Sequence, residues 1–174
     1  MKRFLIVVMA LVVAASPLFA MDIGLTFNRN MTPADGENPD SYGVVFRYFG
    51  EHYLGLELSV TTPSTKSPAG TVFENFQYLT THLGEIQTVN IFPYVLVNYQ
   101  ADPAIFYAGL APTVSISKPW PTFASSFKDY HAKAGVQLDF LFLGAYAEAE
   151  TNLTFEPFSA FKDYQVTLGA VARF

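Results

Sequence analysis

The eleven residues Tyr164-Gln165-Val166-Thr167-Leu168-Gly169-Ala170-Val171-Ala172-Arg173-Phe174 decide how this chain reads. Tyr164, Val166, Leu168, Ala170, Ala172 and Phe174 are apolar, and the residues between them mostly are not. Side chains alternate across a strand, so this is a strand with one oily face that stops on an aromatic residue. Such an edge invites pairing with another chain unless the sheet closes on itself. Closure is therefore the expectation that the rest of the sequence tests.

Working backwards, eight segments keep their apolar residues on a single parity. The first carries Ile23, Leu25 and Phe27, the second Tyr42, Val44, Phe46 and Tyr48, and the third Leu54, Leu56, Leu58 and Val60. The fourth carries Val89, Ile91, Val95, Val97 and Tyr99, and the fifth Phe106, Ala108, Leu110, Val114 and Ile116. The sixth runs from Tyr130 through Val136 to Phe140, the seventh holds Leu143, Ala145, Ala147 and Ala149, and the eighth is the segment quoted above. Within these bounds the apolar parity carries no charge, while the other holds Asp22, Arg47, Glu57, Lys133, Asp139, Glu148, Glu150 and Arg173 with His131 and Gln137.

The segment before the first strand has the pattern of a secretory signal: Lys2 and Arg3, an apolar run from Phe4 to Ala15, then Ser16, Pro17 and small or apolar residues to Ala20. A membrane-spanning helix needs about 20 apolar residues, and this run breaks at Ser16. Cleavage is expected after Ala20, with Ala15 as the alternative because Leu18 is bulky for a cleavage site. Residues 1–20 are thus read as the signal and 21–174 as one domain. Without Lys2 and Arg3, 8 basic residues face 15 acidic ones, a net charge of about −7 that argues against a nucleic-acid partner. The chain has no cysteine, which removes disulfides and thiol ligands from consideration.

A soluble ligand-binding barrel would show the same alternation with the oily face turned inward. Three features point to lipid outside. Seven glycines (24, 43, 55, 109, 135, 144 and 169) lie on the polar parity, where a small closed barrel needs room inside. Connections alternate between long (near 29–41, 62–84, 118–127 and 154–162) and short. Aromatics gather at strand ends: Tyr48, Tyr99, Phe106, Phe140 and Phe174 by the short turns, Phe27, Tyr42, Tyr130 and Tyr164 by the long loops. These are candidate girdles at two water interfaces.

On these residues the chain resembles the small eight-stranded outer-membrane proteins of the OmpA membrane-domain, OmpX and OmpW kind. The resemblance implies an all-β, antiparallel up-and-down transmembrane barrel in a bacterial outer membrane, with outer-membrane lipid as its surroundings. It also implies that Tyr164, Val166, Leu168 and Phe174 form the signal read by the assembly machinery after periplasmic chaperones deliver the chain. Pro93 and Pro112 fall inside strands, where each removes a ladder hydrogen bond, so bulges or kinks are expected there. Residues 71–83 fit either a helical face or an extension of the fourth strand.

Charges inside so small a barrel must be paired. If the sixth and seventh strands turn about Leu141 and Phe142, Lys133 falls opposite Glu150, His131 opposite Asn152 and Gly135 opposite Glu148. Arg47 falls near Glu57. The expectation is a polar plug of Arg47, Glu57, Lys133, Asp139, Glu148, Glu150 and Arg173. Catalysis is not expected: His131 and Asp139 lie eight residues apart on one strand, some 27 Å at about 3.4 Å per residue, and Ser126 is the only nearby nucleophile. Nor do His52, His82 and His131 have metal-ligand spacing, and no cofactor motif is present. Trp120 and Phe123 are expected as aromatics of the third outer loop, where interfacial anchoring or contact with a host molecule would suit them. Three functions stand open at this level: an envelope structural or adhesin-like protein working through its loops, a narrow pore or hydrophobic-solute conduit of the OmpW type, and a soluble lipocalin-like binding barrel.

Overall fold

The computed structural model describes residues 21–33, 39–50, 53–63, 74, 77, 81–119, 122–155 and 158–174, with the side chains of 123, 125–128, 155 and 158–162 left out. The signal reading of residues 1–20 lies outside them. Eight strands follow in order: β1 (Asp22–Asn30), β2 (Asp40–Phe49), β3 (Leu54–Pro63), β4 (Thr88–Ala101), β5 (Ala104–Ser117), β6 (Thr122–Phe140), β7 (Leu143–Phe155) and β8 (Phe158–Arg173). Each pairs antiparallel with its neighbours and β1 pairs with β8, which closes the barrel. The segment that opened the sequence reading is the closing seam. Asp22 lies opposite Arg173, Phe27 opposite Leu168, and the Phe174 amide donates to the Met21 carbonyl at 3.2 Å.

The barrel is inside-out compared with a soluble one. Leu56 on β3 is 60% exposed and its neighbour Glu57 only 4%, and the same contrast runs round the sheet. Leu25, Val95, Val97, Phe106, Leu138 and Leu168 face outward, while Asp22, Arg47, Lys133, Gln137, Glu148 and Glu150 are buried within. A lipocalin-like barrel requires the opposite orientation, so that reading falls. An outward band of large apolar side chains is stable only against an apolar surrounding.

Tyr107 lies opposite Gly135, and Tyr146 opposite Gly169, so each inward ring lies over an inward glycine. A Cβ at residue 169 would stand 2.2 Å from Tyr146 Cζ. The ring has little freedom to yield, because Arg47 lies 4.4 Å from its centroid and its hydroxyl donates to the Leu25 carbonyl at 3.4 Å. Gly169→Ala is therefore expected to cost about 1–3 kcal/mol, the range for overpacking a core. The same substitution in a Tyr146→Ala background should cost much less, as urea titration of the two pairs of variants would read. Equal costs in both backgrounds would refute the steric account.

The outer loops differ from expectation. Strands run on through 29–30, 40–41, 62–63, 122–127, 154–155 and 158–162, leaving connections of 31–39, 64–87, 118–121 and 156–157. Phe123 consequently belongs to β6, paired with Ile116, and not to a loop, while Trp120 lies outside the described residues. The reason is physical: above the apolar band both faces meet water, so pairs such as Ser115 with Ala124 continue without any alternation to reveal them. The outer parity is also not wholly free of charge. Arg29 and Asp40 carry it at the long-loop end and form a 2.9 Å ion pair. Tyr42 has the outward parity but is buried, its ring 5.3 Å from that of Phe27.

The prolines behave differently from each other. The β5–β6 register shifts between Pro112 and Thr113, a bulge where one was expected. At Pro93 no register shift occurs: Leu58 pairs with it on the β3 side. On the β5 side the register before and after the gap is the same, which sets Pro93 against Pro112. Two residues without an N–H face each other, so neither leaves the other's donor unsatisfied. Within 71–83, Glu74, Gln77 and Thr81 are helical, and a short 3-10 turn follows at Leu83–Glu85. These positions do not extend β4.

Candidate functional site

Inward residues of six strands meet at mid-height. From β2, Arg47 donates through Nε to Glu57 Oε2 at 2.6 Å, through Nη1 to Gln137 Oε1 at 2.8 Å, and through Nη2 to Glu148. From β6, Lys133 Nζ donates to Glu57 Oε1 at 2.5 Å and to Glu148 Oε1 at 2.9 Å. Two cations and two carboxylates thus share four contacts and sum to zero formal charge. Such reciprocity is what makes buried charges tolerable, since each is compensated and hydrogen-bonded.

Aromatic rings wall this cluster. The Arg47 guanidinium lies 4.5 Å from the Tyr107 centroid and 4.4 Å from that of Tyr146, and Lys133 Nζ lies 4.3 Å from that of Tyr94. At these distances a desolvated cation is attracted to the ring faces. Tyr107 also donates its hydroxyl to Glu148 at 2.6 Å. Behind Tyr94 and Tyr107, Phe92, Leu96, Ile105 and Ala111 form an apolar packing cluster. One wall of the lumen is hence a small hydrophobic core rather than a polar surface.

Two further groups flank the centre. Toward the loops, Glu150 accepts from Thr167 and lies 3.5 Å from His131 Nδ1, whose ring packs on Phe92 at 4.5 Å. Toward the short turns, Arg173 lies 2.9 Å from Asp22 and 2.7 Å from Asp139. Gln137, with no exposed surface, ties this group to the centre: its Nε2 donates to Asp22 at 2.6 Å and to Asp139 at 2.8 Å while its Oε1 accepts from Arg47.

All seven charges of the sequence-derived plug face the lumen, yet they do not form one cluster. Asp139 and Arg173 stand apart from the others and connect through Gln137. Lys133 does lie opposite Glu150 in register, but its ion pairs go to Glu148 and across the lumen to Glu57. Cross-strand register fixes Cβ neighbours, whereas a long ammonium chain finds its partners by reach through the interior. Sequence reasoning missed Tyr94, Tyr107 and Tyr146. The available signal was their inward parity, and for Tyr107 and Tyr146 the glycine opposite.

A cavity of about 510 Å³ opens at the long-loop end, lined by groups including Asn28, Asn90, Asp129, His131 and Asp163. Another of about 470 Å³ opens at the short-turn end, lined by Asp22, Gln100, Asp102, Asp139 and Arg173 among others. Arg47, Glu57, Lys133 and Glu148 line neither; they lie between the two. His131 and Asp139 belong to different groups, and the Ser126 side chain lies outside the described residues, so no catalytic trio is brought together. Among the described residues no three His, Asp or Glu side chains converge in a way that could hold a metal ion.

No protein-family model matches the chain, and no curated protein matches it in sequence. Its fold does have solved counterparts. The N-terminal β-barrel domain of Pseudomonas aeruginosa OprF superposes with a TM-score of 0.54 at 15% identity, covering 89% of this chain and 97% of that one. This is the fold of the small eight-stranded outer-membrane barrels. Neisserial surface protein A (NspA) also matches, with a TM-score of 0.50 at 10% identity over 90% of this chain and 97% of that one. At such identities the likeness concerns architecture, and the lumen chemistry is this chain's own.

Proposed function

We propose that this protein is an integral outer-membrane barrel, exported by residues 1–20, whose lumen is closed by its own side chains and which acts at the envelope surface through its long-loop end. The observation that carries this reading is the neutral Arg47–Glu57–Lys133–Glu148 cluster, buried between two separate vestibules. A barrel of eight strands has just enough interior for side chains to fill, and here aromatic rings and ion pairs fill it. The surroundings are outer-membrane lipid, Tyr164, Val166, Leu168 and Phe174 serve as the assembly signal, and a host or extracellular ligand is met by the connections 31–39, 64–87 and 118–121.

The second reading, a narrow conduit for small or hydrophobic solutes, draws support from the vestibules themselves. It requires the plug to move, because the two cavities do not join. Reconstitution into liposomes separates the readings: the wild-type barrel should fractionate with the outer membrane, migrate differently on gels before and after heating, and give no swelling with monosaccharides or amino acids. Swelling at porin-like rates would overturn the closed-lumen reading, and failure to partition to the membrane would overturn both.

A further inference from the structure

Two short turns carry large apolar side chains in a backbone conformation that such residues avoid. Leu141 has φ 59° and Tyr53 φ 63°, the positive-φ positions other than glycine among the described residues. Leu141 is the first residue of the two-residue turn Leu141–Phe142, a place where a hairpin ordinarily puts glycine or asparagine. The left-handed conformation costs a leucine a factor of roughly 5 to 30 in the folding equilibrium relative to glycine. Nothing in the protein recovers that cost, since the Leu141 side chain is 91% exposed and Phe142 65%.

The cost is recovered if the side chain leaves water. Moving a leucine from water into an apolar phase is worth a factor of roughly 10 to 150, which exceeds the strain. The turn is also continuous with the outer apolar band: Phe140, Leu143 and Phe174 adjoin it, and Leu54 follows Tyr53, all more than half exposed. The third short turn differs, being Asp102–Pro103, and it lines the vestibule instead. We infer that the β6–β7 turn at Leu141–Phe142, together with Tyr53–Leu54, is inserted into the membrane's lipid surface, so that the barrel's short-turn rim is immersed at two turns and in water at the third.

This inference rests on the outer-membrane reading, and the absence of cysteine makes the two separately testable. Single nitroxide labels at Leu141→Cys, Asp102→Cys and Val95→Cys, in mature protein folded into phosphatidylcholine vesicles, report depth through collision with oxygen against a water-soluble nickel chelate. The label at 95, in mid-band, and the label at 141 are both expected to favour oxygen; that at 102 should favour the chelate. If 95 favours the chelate, the membrane reading itself fails; if only 141 does, the immersed turn fails alone. A second measurement is independent of labelling: Leu141→Gly relieves the strain, yet should lower the folded-to-unfolded ratio in vesicles by about tenfold because the lipid contact is lost. An unchanged or raised ratio would show that the side chain hangs in water.

Discussion

Replacing Arg47 by alanine is expected to lower the stability of the folded barrel by about 3–5 kcal/mol, the scale for removing one partner of a buried charge cluster. Arg47 has no exposed surface and contacts Glu57, Glu148 and Gln137 at once. Without it, two buried carboxylates share the single charge of Lys133, and the faces of Tyr107 and Tyr146 lose their cation. Lysine at this position should recover little, since one ammonium cannot replace a planar fork spread over three acceptors. Removing Glu148 together with Arg47 leaves Lys133 and Glu57 balanced, so the double variant should cost less than the sum of the singles by more than about 1 kcal/mol. Urea titration in vesicles, followed by heat-modifiable gel migration, measures all four proteins. A loss below about 1 kcal/mol for Arg47→Ala would mean the cluster adds little; that is the scale expected of the half-exposed Arg173 pairs.

The second large effect concerns passage through the barrel. Lys133→Ala combined with Glu148→Ala removes one cation and one carboxylate from the centre, leaves Arg47 paired with Glu57, and opens space between the two vestibules. In planar bilayers this variant is expected to raise conductance several-fold above the wild-type baseline, with cations favoured because inward acids (Asp22, Glu57, Asp139, Glu150) outnumber Arg47 and Arg173. An unchanged current would reject the plug as what closes the lumen. The pair suggested by register alone, Lys133→Ala with Glu150→Ala, should behave worse. It leaves Arg47 facing both Glu57 and Glu148, and takes from Thr167 and His131 their carboxylate partner. A lower folded yield is expected for it, and a folded yield matching the first double variant would contradict the partner assignment.

Much of the architecture was legible because the bilayer writes it into the chain. Wherever one strand face meets lipid and the other a crowded interior, the period of two is enforced residue by residue, as from Tyr164 to Phe174. The alternation failed where that contrast ends. Thr122–Ser126 and the start of β8 are strand without reading as strand, because both faces there meet water. The inward charges were visible as a set, since an apolar outer face leaves them only one side to occupy. Their division into a neutral centre, a His131–Glu150 group and an Asp22–Asp139–Arg173 group was not visible.

By itself, the sequence determined the strand count, the parity of each strand, the closing seam at Phe174 and the identity of the inward charges. All of these follow from local alternation and turn spacing. Only the tertiary structure decided that Lys133 reaches Glu57 and Glu148 rather than the residue opposite it, that Gln137 joins two charge groups, and that Tyr107 and Tyr146 lie over glycines to wall in Arg47. The reason is one of distance: a strand's neighbours are set by hydrogen-bond register, but a lumen is narrow enough for long side chains from every strand to compete for the same few partners. Pairing across that space depends on the whole ring of strands at once.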